Sequence, residues 1–331
     1  MLVPALGLGT AAVWNLIGVF RVTYEKRLED TARALGLALD REIGVYQSAL
    51  VALSGSTSLD GQDPALGTFE TEARRTALAV ATSLTLLDPT TMRQLINTSL
   101  APGEKAAAVS AADLAAVSAT GRPLITNLVL GAQSQRPVVG IAVPVTRDGR
   151  VRFILAARIE PARLSRVLTE RRQSDAGFDV LVDASNTVVA RSRDLPQFLG
   201  KQAPGWFSKG TEGREFGFLR GAALEQRDVV VGFARLTSTP GWTIVVAEPW
   251  SDYAASWSWP LVAFALGGGI IVIFGVILAI WTSRRLLRSV ATLVSEARIV
   301  SAIHTGEAIS LPTPAVPALR VAEFDELYQP A

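Results

Sequence analysis

The 331-residue sequence predicts an α+β fold in which two transmembrane helices flank a long stalk helix and two tandem antiparallel-sheet modules. Three observations carry this. No charged residue occurs between Asp252 and Arg284, a run longer than the roughly 20 apolar residues that cross a bilayer core. Met1 to Phe20 is likewise uncharged. Between the two runs, a helical period gives way to two successive rounds of helix, hairpin, loop and three strands.

The C-terminal run defines the second span, residues 254–283. Trp257 and Trp259 stand at one end and Trp281 at the other, where amphipathic indoles favour the headgroup zone. Arg284, Arg285 and Arg288 follow, so the positive-inside bias assigns that end to the cytoplasm. Residues 1–20 are the first span. A basic n-region and a small-x-small cleavage site are both missing, which favours an uncleaved anchor over a secretory signal. Two spans place residues 21–252 on the opposite side of an inner membrane, the periplasm, in contact with lipid only through the spans.

From Arg21 a stalk helix is expected to run through residues 21–58. Leu28, Leu35, Leu39, Ile43, Tyr46, Leu50 and Leu53 recur at helical spacings and draw one apolar stripe, while Gly55-Ser-Thr-Ser58 stops the helix. Such a stripe needs a partner, either its own domain or a second copy of the chain.

Residues 59–172 form the first module. A helix over Phe69–Thr82 precedes strands at Leu84–Leu87 and Arg93–Ile96, a short helix from Asp113, and strands at Pro123–Leu130, Pro137–Val145 and Arg150–Ile159. Asp148-Gly149 joins the last two strands, because this pair tolerates the positive φ of a tight hairpin turn. A helix from Pro161 to about Arg172 leads to the second module, residues 173–250. There Phe178–Val182 and Thr187–Arg191 form a hairpin, a loop with a short helix covers Leu195–Trp206, and Glu215–Arg220, Asp228–Leu236 and Trp242–Glu248 complete the sheet.

Composition narrows the function classes. A hydrophobic share of 49% suits two spans around a globular domain, as does a mean hydropathy of +0.31. A net charge of +2, with no single-sign stripe, argues against nucleic acid. The absence of cysteine excludes disulfides, a Cys-ligated metal and a thiol nucleophile. With His304 the only histidine, His-based triads and metal sites lack their residues, and acidic residues form no spaced calcium loop. No cofactor and no catalytic domain are expected. His304 stands in Ser-Ala-Ile-His-Thr-Gly, the context of an ordinary loop histidine rather than of a phosphoacceptor.

Leu84-Thr-Leu-Leu-Asp88, Gln94-Leu-Ile-Asn-Thr98, Gly121-Arg-Pro123, Arg136-Pro-Val-Val139 and Val143-Pro-Val-Thr-Arg-Asp-Gly149 resemble the first half of a double Cache sensor domain. Leu181-Val-Asp-Ala-Ser-Asn-Thr-Val-Val-Ala-Arg-Ser192 and Gly241-Trp-Thr-Ile-Val-Val-Ala247 resemble its second half. The resemblance covers residues 24–250 and implies two PAS-like modules of a bacterial membrane receptor. Its wording looks most like sensor histidine kinases. The tail, residues 284–331, is similar to a HAMP linker: Arg284–Ile303, Gly306-Glu-Ala-Ile-Ser-Leu-Pro312 and Val321-Ala-Glu-Phe-Asp-Glu-Leu327 match helix, connector and second helix. Ser289 replaces a usual proline, and the segment is incomplete at Ala331.

The resemblance implies an extracytoplasmic sensor that binds a small molecule, works as a homodimer, and passes its signal to a kinase output domain absent from this chain. The sensor half of a chemoreceptor or diguanylate cyclase, or a truncated receptor acting only by dimerisation, are the alternatives. In PAS-like modules a ligand sits between the sheet face and the segments covering it. The polar residues best placed there in the first module are Asn97, Asn127 and Arg136. Each also has a plainer role, the asparagines as turn caps and Arg136 as a solvated strand start.

Overall fold

The computed structural model describes residues 2–101, 104, 112–131, 135–172 and 175–305, without the side chains of residues 2–13, 16, 112–113 and 286–305. One helix, α1 (Leu2–Ser54), runs unbroken from the uncharged N-terminal segment through the stalk. All seven residues of the expected stripe are buried, joined by Ala32 and Ala38. Their partner is the domain itself: the stripe shares one core with Ile141 and Leu155 of the first module and Ile244 and Val230 of the second. A helix with this many buried side chains is stabilised chiefly by that packing rather than by intrinsic propensity.

After a one-turn 3₁₀ segment, Thr57–Leu59, the first module consists of α2 (Leu66–Ala79), β1 (Leu84–Leu87), β2 (Gln94–Asn97), α3 (Ala112–Thr120), β3 (Leu124–Leu130), β4 (Pro137–Arg147) and β5 (Arg150–Ile159). Helix α4 (Pro161–Arg171) follows. The second module contains β6 (Phe178–Val182), β7 (Val188–Arg191), α5 (Leu195–Phe198), α6 (Gly205–Thr211), β8 (Phe216–Ala222), β9 (Asp228–Arg235) and β10 (Thr243–Pro249). The sheets have one topology: strand order β2-β1-β5-β4-β3 in the first and β7-β6-β10-β9-β8 in the second, with every pairing antiparallel. The β4–β5 hairpin turns at Asp148 and Gly149, with φ of 49° and 73°, as the dipeptide demands.

Two differences from the sequence reading have local causes. Helix α2 ends at Ala79 instead of Thr82, because Ala81 takes a left-handed φ of 50° and the Thr82 hydroxyl donates to the Arg158 carbonyl near the end of β5. The loop after β7 holds two short helices, not one.

Polar ties reinforce α1. The Asp40 carboxylate accepts from the Thr237 N–H at 3.0 Å, its hydroxyl at 2.6 Å and the Ser238 N–H at 3.1 Å. Burial raises the Asp40 pKa, but these hydrogen bonds outweigh it and hold the carboxyl below its ordinary value. Glu42 pairs with Arg163 of α4 at 2.7 Å.

Strand β10 leads directly into α7 (Trp250–Thr305), which contains the uncharged run and continues through the first HAMP-like segment. Among the described residues, Trp250–Arg285 is the one helical segment long and apolar enough to cross a membrane. The expected HAMP-like connector and second helix, residues 306–331, lie outside the described residues. So do the side chains of residues 2–13 in the N-terminal run.

Candidate functional site

Each sheet has one face against α1 and one face turned away. Alternation along β1 sends Leu84 and Leu86 to the α1 core and Leu87 to the other side. There Leu87, Ala142 and Ile154 pack beneath Leu114 and Val117 of α3. Thr85 and Asn97 are paired across β1 and β2, so both stand on this outer face.

The three polar residues expected at a ligand site fall at separate places. Asn97 donates to Gln94 Oε1 at 2.6 Å and accepts from the Ser99 N–H at 3.0 Å and hydroxyl at 2.6 Å, which closes the turn after β2. Asn127 lies on β3, the opposite edge strand. Four strand spacings separate the edges, or about 19 Å. Asn127 Nδ2 donates to Ser185 Oγ at 2.8 Å, and its Oδ1 accepts from the Ala184 N–H at 3.3 Å. Beside it, the Leu128 N–H donates to Asp183 Oδ2 at 3.0 Å. Asn127 thus joins the first module to the β6–β7 turn of the second, beside a groove of about 400 Å³ that Gln47, Thr126, Thr239 and Trp242 also line. Arg136 is exposed at the bend before β4, and its carbonyl accepts from the Gly131 N–H at 2.8 Å.

The outer face of the second sheet carries a feature that sequence reasoning missed. Val180, Val182, Val188, Val231 and Val245 form an apolar floor, roofed by Phe198 of α5 and Phe207 of α6. They line a cavity of about 60 Å³. Arg191 at the end of β7 enters this apolar wall. Its guanidinium carbon lies 3.9 Å from the ring centroids of both Phe178 and Phe198, and it pairs with Glu225. The signal in the sequence was a basic residue closing the otherwise apolar run Val188-Val-Ala-Arg191. Its partner is 34 residues away, a separation without helical or strand period.

A second buried ionic group lies on the α1-facing side of this sheet. Asp179 pairs with Arg172 at 3.1 Å and is 2% exposed. Burial pushes its carboxyl up to about 6, with Arg172 pulling it back only in part. Close by, Tyr24 of α1 donates to Glu248 at 3.0 Å, where β10 enters α7. One turn into α7, Tyr253 is 1% exposed. Its hydroxyl donates to Glu25 at 2.9 Å and accepts from Arg21 at 3.1 Å, and its ring lies 5.0 Å from Trp250 and 5.2 Å from Tyr24. The base of the domain is therefore clamped between α1 and the start of α7.

No family profile and no curated protein matches this sequence. Solved structures do. The extracellular domain of rpHK1S-Z16, assigned as a histidine kinase, is similar with a TM-score of 0.57 at 14% identity, over 69% of this chain and 95% of that one. The ligand-binding domain of the Pseudomonas fluorescens chemoreceptor CtaA, in complex with L-isoleucine, gives 0.57 at 12% identity over 72% and 97%. That of the Campylobacter jejuni chemoreceptor Tlp3, in complex with L-valine, gives 0.53 at 12% identity over 72% and 96%. Identity this low carries the fold and nothing finer. The two five-stranded sheets in tandem on one long helix are the fold that this chain shares with these histidine-kinase and chemoreceptor sensor domains.

Proposed function

We propose that this chain is the ligand-sensing and membrane-crossing part of a bacterial receptor, most like a sensor histidine kinase. Residues 21–252 lie in the periplasm in this reading, residues 1–20 form a first span, and residues 284–331 belong to the cytoplasm. One observation carries it: a sensor-type double sheet whose last strand, β10, runs without a break into the apolar helix α7. A change in the second sheet then has a covalent route into the span.

The ligand of the first module sits on the outer face of its sheet, beneath α3. Asn97 is its polar contact there, beside Thr85. Asn127 and Arg136 act from the other edge, where a ligand would also be read by the junction between modules. Ligand binding moves the signalling equilibrium only by its differential affinity for two states, and near-complete switching takes about 5.5 kcal/mol. The Tyr253 clamp is the element biased, since from α7 its ring meets both Tyr24 of α1 and Phe218 of the second sheet.

Homodimerisation is supported by α1. Leu37, Val45 and Val51 remain exposed, and at about 100° per residue they fall within a 120° arc of the helix. The test of the sensing reading is a thermal-shift screen of the purified chain against organic acids, amines, amino acids and nucleobases. Stabilisation by one chemical class, lost in Asn97→Ala, is the expected result. Stabilisation by none would favour a receptor that acts only through dimerisation.

A further inference from the structure

We infer that the cavity of the second module is a separate binding site for a small uncharged molecule with a primary amide head. It lies in the other sheet from the ligand face proposed above and uses none of its residues.

Arg191 supplies the first argument. Its side chain is 3% exposed, yet Nε and Nη1 have no hydrogen-bond partner. Phe178 and Phe198 cover the faces of the guanidinium, but the N–H bonds lie in its plane and find no acceptor in a ring face. A buried donor without an acceptor loses its hydration with nothing in return, and the loss is larger on a charged group. Glu225 Oε2 is buried and unpartnered too. Both residues line the same cavity, whose other walls are valine, phenylalanine and other apolar groups. Unmet donors and an unmet acceptor thus line one apolar chamber.

Charge and size choose the occupant. Arg191 and Glu225 already neutralise one another. A bound carboxylate or ammonium would bring an uncompensated charge into an apolar wall, with its desolvation unrepaid. A neutral head that accepts and donates meets both demands: an amide carbonyl takes an Arg191 N–H, and an amide N–H goes to Glu225 Oε2. An apolar cavity of about 150 Å³ holds benzene. The 60 Å³ here accordingly fits a head with a one-carbon tail, as in acetamide.

The experiment uses the full chain in lipid nanodiscs and saturation-transfer NMR with acetamide, acetate and ethylamine, each read by its methyl signal. Acetamide is expected to receive transfer at least tenfold more strongly than either charged probe. Val231→Phe, which fills the cavity, should abolish that signal. Glu225→Gln leaves Arg191 with an unbalanced positive charge and should reverse the order, so that acetate exceeds acetamide. Equal transfer to all three probes, or transfer to none, overturns the proposal, the latter leaving water as the occupant. So does an acetamide signal that survives in folded Val231→Phe. Should that variant not fold, an unchanged probe order in Glu225→Gln decides against the site.

Discussion

Gly232 stands where β9 passes under α1. A Cβ at this position would lie 2.5 Å from the Leu28 carbonyl carbon and 2.8 Å from the Glu29 nitrogen, contacts with backbone that no side-chain rotation relieves. Gly232→Ala should therefore destabilise the domain by about 1–3 kcal/mol, the usual range for overpacking, in chemical denaturation. Asp179 makes a different kind of prediction. Its folded pKa of about 6 exceeds the unfolded value of about 3.9. The folded chain therefore binds the proton more tightly between these limits, and stability from this group is greatest below pH 4 and falls as pH rises to 6. At about 1.4 kcal/mol per unit, the fall is at most about 3 kcal/mol. Asp179→Asn should remove that slope from a plot of Tm against pH, even though Arg172 loses its partner and overall stability drops. A slope unchanged by the substitution would assign the titration to another group.

Helix α1 is the element on which both sheets depend. Leu39 and Ile43 are fully buried in a core that contains residues of each module. Leu39→Ala should cost about 2–5 kcal/mol, and both modules should be lost in one transition by circular dichroism and limited proteolysis. Two separate transitions would show the modules to be independent. This stripe was legible in the sequence because helical period needs only local order, and its seven residues are all buried. The strands were legible for the same reason, the longest pair set off by the Asp148-Gly149 turn. Helix α6 was missed because it is seven residues long and begins at Pro204-Gly205, which reads as loop. The site was far less legible. Asn127 was noticed as a polar residue beside a strand, but its partner Ser185 is 58 positions away. The Arg191–Glu225 pair depends on β7 meeting the loop before β9, which only the folded sheet brings together.

At the scale of the whole molecule, the reading turns on which side of a membrane the double sheet occupies. Charge and apolar surface are distributed asymmetrically around α7. Its apolar stretch exposes Ile270, Ile271, Phe274 and Ile277, each more than half accessible, a surface that water would penalise by roughly 25 cal/mol per Å². Lipid removes that penalty, and Arg284 and Arg285 at the far end resist translocation while Asp252 and the domain stand at the near end. Alkaline phosphatase, active only after export, should therefore be active when fused near Ser185 and inactive when fused after Arg298. The complementary reporter, a fluorescent protein that matures only in the cytoplasm, should give the mirror pattern at the same two positions. Activity after Arg298 with none near Ser185 would put the sheets inside the cell, where neither the Tyr253 clamp nor the outer faces of the modules could report on anything beyond the membrane. Activity at both positions would mean that α7 does not cross, and its exposed apolar surface would then need a protein partner instead of lipid.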